Sequence, residues 1–206
     1  TCIAVKPPDS GTLTEEEEEE EEIMERSLME QTGATDEQIR NAIDQGAITK
    51  QYFAQPQHVV SSLNRLRSTE IASYLQYKQH GYMAVSLLSP GLKAEFEAHA
   101  EQELAHADRL ATRIQQLGGV PIFDLQELAG KAAAIGVHPE QGTTLSEMVI
   151  ENLLLERRQV EAYTALIREL GEKDLITREL LLGILGETGA HASELGDFLK
   201  RTSDKR

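Results

Sequence analysis

From Pro56 onward, apolar residues return every three or four positions through four long segments, a period that only helices burying one face can satisfy. In the first, about 57–87, Val59, Leu63, Leu66, Glu70, Tyr74 and Tyr77 share a face, and Ser89-Pro90-Gly91 marks a stop and a turn. The second, about 91–117, aligns Phe96, His99, Glu103, His106, Leu110 and Ile114 before Gly118-Gly119 and Pro121 end it. A long stretch, about 119–143, holds one short helical piece near 125–135. The third segment opens on a capping box, Thr144 with Glu147, aligns Leu145, Val149, Asn152, Glu156, Val160, Tyr163 and Ile167, and ends at Gly171. The fourth, about 173–200, aligns Leu181, Ile184, Thr188, His191, Leu195 and Phe198. Short turns inside each pair make antiparallel hairpins, and the long middle link is able to cross the whole bundle. The expectation is an all-α antiparallel four-helix bundle over residues 56–201, with 202–206 as a C-terminal tail.

Residues 1–55 read differently, as an acidic N-terminal extension. They carry fourteen Asp and Glu against four Lys and Arg, including the unbroken run Glu15 to Glu22. Such a run repels itself and reads as a solvated tail; guiding cations is the sharper alternative. Ile23, Met24, Leu28 and Met29 have the spacing of a short amphipathic helix, and Thr35 to Ile48 reads as another, with Asp36 as its cap. The whole chain of 206 residues has a formal net charge of -15, which disfavours nucleic acid and anionic membrane surfaces as partners. Cys2 is the single cysteine, so neither an intrachain disulfide nor a Cys-rich metal site is available. With no apolar run near the roughly 20 residues of a membrane span and no secretory leader, a cytoplasmic protein is expected.

The chemistry lies in polar residues on faces that should be apolar. Glu70 in the first segment, Glu103 and His106 in the second, Glu156 in the third and His191 in the fourth all fall at buried register. Desolvating an ionised carboxylate costs several kcal/mol unless it is paired or metal-bound. One such residue is commonplace, and a lone Glu-x-x-His pair usually faces solvent. Acids or imidazoles on all four segments at matching heights call for a shared counter-charge, which divalent cations supply. Oxygen and imidazole donors suit iron or manganese, and zinc competes. Tyr74 and Tyr77 read as core aromatics, and His58, His80, His99 and His138 as surface or packing residues.

These segments resemble the ferritin-like proteins, bacterioferritins in particular, over essentially all of residues 57–200. Thr69-Glu70-Ile71-Ala72-Ser73-Tyr74-Leu75-Gln76-Tyr77 is similar to that family's first-helix ligand segment, and Glu103-Leu104-Ala105-His106-Ala107-Asp108-Arg109 to its second-helix motif. Leu153-Leu154-Leu155-Glu156 resembles the third-helix segment, and Ile184-Leu185-Gly186-Glu187-Thr188-Gly189-Ala190-His191-Ala192 the fourth. The resemblance implies two iron ions held by Glu70, Glu103, His106, Glu156 and His191, with Glu103 bridging and Tyr77 nearby. It also implies oxidation of Fe(II) by O2 or H2O2 and assembly of identical subunits, as a dimer or a larger shell, for iron storage or detoxification.

The chain departs from the family in two places. Thr188 stands where a second bridging Glu belongs, with Glu187 one residue earlier and about 100° away around a regular helix. Gly183, Gly186 and Gly189 surround it. Either a local distortion such as a π-bulge turns Glu187 inward as a ligand, or the second metal position is weakened and the glycines serve close packing. Leu104 stands where a haem-binding methionine follows the bridging Glu, so no haem is expected by that route. A non-catalytic structural subunit and a rubrerythrin-like oxidase or peroxidase are the alternatives; the latter lacks its Cys-pair module here.

Overall fold

In the computed structural model, Met24 and residues 35–46, 48–86 and 89–203 are described. The acidic run Glu15 to Glu22, the rest of the proposed 23–29 helix and the last three residues of the tail lie outside them. The chain divides into two units, Thr1–Gly46 and Ala47–Arg206.

In the first unit, α1 spans Asp36–Asn41. Its cap is Thr35, not Asp36: the Thr35 side chain accepts from the Gln38 N–H, and Gln38 returns the bond to the Thr35 N–H, a complete capping box. The helix also stops earlier than its pattern suggests, giving way to a 3-10 turn at Ile43–Gln45, and buries none of its residues.

The second unit contains α2 (Pro56–Ser86), α3 (Pro90–Gln116), α4 (Leu125–Ala133), α5 (Leu145–Leu170) and α6 (Leu175–Ser203), with no strand among the described residues. Pro90 starts α3, where its missing N–H costs nothing. Thr144 and Glu147 form the capping box that starts α5. Gly171, at φ 51°, turns the chain out of α5 in a conformation that side chains resist. The Asp174 carboxylate then accepts from the Thr177 N–H at 2.9 Å and takes an ion pair from Arg113 on α3. After α3, Gly119 lies so close to α2 that a Cβ would stand 2.5 Å from Val60 Cγ1.

Side-chain partners fix the topology. Glu70 meets Tyr163 while Tyr77 meets Glu156, so α2 and α5 are antiparallel. His106 meets Glu187 while His99 meets Glu194, so α3 and α6 are antiparallel too. The crossover between α3 and α5 runs along α2, pinned by side chains that satisfy its backbone. Asn64 bonds the Val120 carbonyl and the Ile122 N–H, and Gln76 and His80 bond the two backbone groups of Glu140. From position 64 to 80 a helix rises about 24 Å, the reach expected of this link. Along it, α4 places Ala132 with Val137 against Ala72 and Leu155.

The core is in two parts. Val59, Leu63, Leu66, Leu110, Ile114, Leu166, Leu181 and Ile184 pack at one end. Ala84, Leu92, Phe96, Met148, Val149 and Leu195 pack at the other. Residue numbers on every helix place a polar band between these clusters. No helix among the described residues is long and apolar enough to cross a membrane.

Candidate metal centre

The same period that makes each helix amphipathic carries the polar residues inward with the apolar ones. Glu70, Glu103, His106, Glu156 and Gln159 are fully buried, and His99 and His191 are only 3% exposed. Five of these are the residues expected to ligate metal, and the fold brings all five together.

Glu70 Oε1 accepts from the Tyr163 hydroxyl at 2.6 Å and from Gln159 Nε2 at 2.9 Å. Its Oε2 lies 3.1 Å from His106 Nδ1. Gln159 also donates to Glu103 Oε2 at 3.2 Å. Glu103 Oε1 points between the histidines, 3.9 Å from His106 Nδ1 and 3.1 Å from His191 Nδ1. On the far side, Glu156 Oε1 accepts from the Tyr77 hydroxyl at 2.5 Å and stands 3.3 Å from His191 Nδ1. Donor atoms of Glu70, Glu103 and His106 fall within 4.8 Å of one another, and so do those of His99, Glu156 and His191.

Several of these atoms lack a hydrogen bond despite full burial: Glu103 Oε1, Glu156 Oε2 and His191 Nδ1. His191 Nδ1 is close to two carboxylates but not aligned with either. An unpaired buried polar atom costs about 1–3 kcal/mol. His191 Nδ1 stands beside the carboxylates of both Glu103 and Glu156, and a buried acid–imidazole set with idle atoms is one that a cation satisfies, so these residues fit a metal.

Electrostatics agree with that reading. Burial pushes the Glu70, Glu103 and Glu156 carboxyls up to about 7, and their mutual repulsion adds to it. Burial opposes charge on His191, yet Glu103 and Glu156 override it and raise the imidazole to about 10. Without metal, a proton on His191 is the cation of the band. Burial and the adjacent carboxylates also hold the Tyr77 and Tyr163 hydroxyls well above the ordinary phenol range.

Of the two alternatives for the fourth helix, the local distortion is absent. α6 is unbroken α-helix through residues 184–191, with no π-bulge. Glu187 therefore does not turn inward. It lies half-exposed, accepting from Arg109 at 2.9 Å and meeting His106 Nε2 at 2.8 Å, on the side of the ring away from the carboxylates. Burial opposes charge on it, but the His106 and Arg109 contacts keep its carboxyl below the usual range. The buried Thr188 spends its hydroxyl on the Ile184 carbonyl at 3.0 Å. Close packing does not explain Gly186 or Gly189, where a Cβ would meet nothing within 4 Å, whereas at Gly183 it would stand 3.0 Å from Arg109 Nη2.

His99 is the packing residue of the two roles read for it, and it also has polar contacts: its ring stacks on His191 at 4.1 Å, and its Nε2 lies 3.0 Å from Glu194. His80 does pack, between Asn152 and the Glu140 carbonyl, while His58 pairs at the surface with Glu169. Gln159, Gln102 and Tyr163 were not anticipated as partners of the band. Gln102 bonds His191 Nε2 from outside. Only their helical register relative to Glu103 and Glu156 hinted at such roles.

Four antiparallel helices around a buried band of carboxylates and imidazoles define a class of cation-holding bundles. Comparison with known proteins agrees: the ferritin family model, described as a ferritin-like domain, matches residues 60–204, and the chain belongs to the ferritin-like family. It is 33% identical over 132 residues to the bacterial ferritin of Pseudomonas aeruginosa, covering 63% of this chain and 78% of that protein. It is 26% identical over 150 residues to the bacterioferritin of Desulfovibrio desulfuricans, covering 71% of this chain and 78% of that protein. Among solved structures, a dodecameric thioferritin, the bacterioferritin-related protein of Bacteroides fragilis, superposes with a TM-score of 0.70 at 25% identity, covering 74% of this chain and 90% of that one.

Proposed function

We propose that this chain binds Fe(II) in the polar band and oxidises it with O2 or H2O2, in the service of iron storage or detoxification. Glu70 and His106 hold one ion, Glu156 and His191 the other, and Glu103 bridges. The observation that carries this reading is the meeting of the Glu103 and Glu156 carboxylates at His191 Nδ1, with Glu103 Oε1, Glu156 Oε2 and His191 Nδ1 all buried without hydrogen bonds. Fe(II) is here the substrate. Two ions about 3.5–4 Å apart supply the two electrons that, with two protons, take O2 to H2O2 or H2O2 to water. Manganese or zinc suits the same donors.

The surrounding side chains prepare the ligands. Tyr77 and Tyr163 donate to Glu156 and Glu70, fixing each carboxylate through one oxygen, while Glu156 Oε2 has no other partner and Glu70 Oε2 faces His106 Nδ1. Glu187 and Gln102 take the outer Nε2–H of His106 and His191, which leaves each Nδ1 lone pair facing inward. Glu187 is thus a positioning residue, not a ligand. The dodecameric thioferritin, and exposed apolar residues such as Leu75, Tyr82, Phe123 and Leu175, support assembly of identical subunits. Leu104 offers no haem ligand.

The test is aerobic addition of Fe(II) with ferric absorbance followed in time. The wild type is expected to exceed the buffer rate and Glu103→Ala to fall to it; a wild-type rate no faster than buffer overturns the proposal. A second reading, a non-catalytic subunit with an incomplete centre, draws support from Thr188, which brings no carboxylate to the band.

A further inference from the structure

The geometry points to His99 as an additional metal ligand, completing through Nδ1 the Glu156–His191 half of the centre that Thr188 leaves one carboxylate short. The inference rests on the two-metal reading above. His99 sits on α3 one turn before Glu103, so both project to the same side. It is 3% exposed, and its donor atom lies within 4.8 Å of those of Glu156 and His191. Its Nδ1 is buried without any hydrogen bond.

The clearest sign is a pattern shared by three histidines. In His106, His191 and His99 alike, Nε2 is held from outside by an acceptor: Glu187, Gln102 and Glu194 respectively. In a neutral ring an Nε2–H donated outward leaves Nδ1 unprotonated with its lone pair available for a metal, and at His191 the metal displaces the Nδ1 proton. A histidine buried only for packing has no need of an oriented outer acceptor and an idle inner nitrogen. With no metal bound the ring stacks on His191 at 4.1 Å and meets Tyr77 edge-on at 5.2 Å, and because parallel rings cannot aim both lone pairs at one ion, binding turns one of the two about its Cβ–Cγ bond. Burial and the neighbouring His191 hold its imidazole below the ordinary range, against the pull of Glu194.

The centre is consequently unequal. One half offers Glu70, Glu103 and a single imidazole. The other offers Glu156, the shared Glu103 and two imidazoles, one negative charge fewer than a carboxylate in place of Thr188 would give. More nitrogen and less charge favour Zn(II) and Co(II) over Mn(II) in that half.

Co(II) titration of the full chain, followed by calorimetry and visible absorption, tests this. His99→Phe keeps a ring for stacking but removes the donor; His99→Leu is a second donorless variant, and metal-free circular dichroism checks the fold of both. The wild type is expected to bind two Co(II) per chain. Either His99 variant should weaken one of them about 100-fold and change its absorption, while Glu70→Ala weakens the other. Two ions bound with unchanged affinity and spectrum in a folded His99 variant would overturn the inference and leave the two-metal reading intact. A single wild-type ion that Glu70→Ala removes and His99→Phe spares would overturn it as well. No Co(II) bound by the wild type would remove the two-metal reading, and this inference with it.

Discussion

At the scale of single residues, the band trades one kind of positive charge for another. Glu70, Glu103 and Glu156 titrate near 7 in the fold against 4.5 as their ordinary value, and His191 near 10 against 6.5. Each is raised, so each contributes stability that is complete below its unfolded pKa and lost as pH climbs through the folded one. Metal-free protein in a chelator is therefore expected to melt at progressively lower temperature from about pH 5 to about pH 9, as calorimetry can show. Saturating metal replaces the missing protons and should flatten that decline. By the same exchange, Zn(II) binding near neutral pH should release at least one proton per chain, readable by repeating the calorimetry in buffers of different ionisation enthalpy. Glu187→Ala frees the outer face of His106 and is expected to weaken one metal about tenfold, without abolishing it. The sequence carried the ligand types plainly, because an acid at apolar register is conspicuous. Gln102, Gln159 and the facing of His99 were not legible: glutamine is ordinary on any helix face, and a histidine's role depends on what lies beyond its other nitrogen. Glu187 misled for the same reason, since its neighbour Thr188, not Glu187 itself, occupies the inward direction.

At the scale of elements, the long helices were legible because each repeats its apolar stripe for many turns and is bounded by a recognisable stop. Thr144 with Glu147, Pro90 and Gly171 all act where the pattern places them. Replacing Thr144 by Ala should cost about 1 kcal/mol, measurable as a lower denaturant midpoint with an unchanged slope. The small helix α1 was less legible: Thr35 and Asp36 are both capable caps, and the Gln38 return bond decides between them. The glycines of α6 await a functional reason. Gly186 is exposed within regular helix, and added bulk there meets open space. Gly186→Ala is accordingly expected to stabilise the chain by about 0.5–1 kcal/mol, seen as a raised melting temperature. The crossover was foreseeable in length but not in its fastenings. Asn64, Gln76 and His80 satisfy a loop's backbone from the flank of α2, and nothing in helical periodicity distinguishes such residues from other buried amides.

At the scale of the whole molecule, charge and assembly come together. Exposed apolar residues recur on α2, near α4 and at the start of α6, more than an isolated bundle requires. Light scattering is expected to return a mass several times that of one chain. Deleting residues 1–30 is expected to leave the rate of Fe(II) oxidation unchanged; slower oxidation would make the glutamate run a guide for cations. The division of the core has its own consequence. Two oily knots are separated by a belt that repels water poorly while it lacks a cation, so breathing motions should begin at the waist and not at the ends. Deuterium uptake would then be fastest at the amides around Glu70, Glu103, Glu156 and His191 in chelator-treated protein, and loading the belt with zinc would slow it there first. Cargo, on this view, is also what cinches its container.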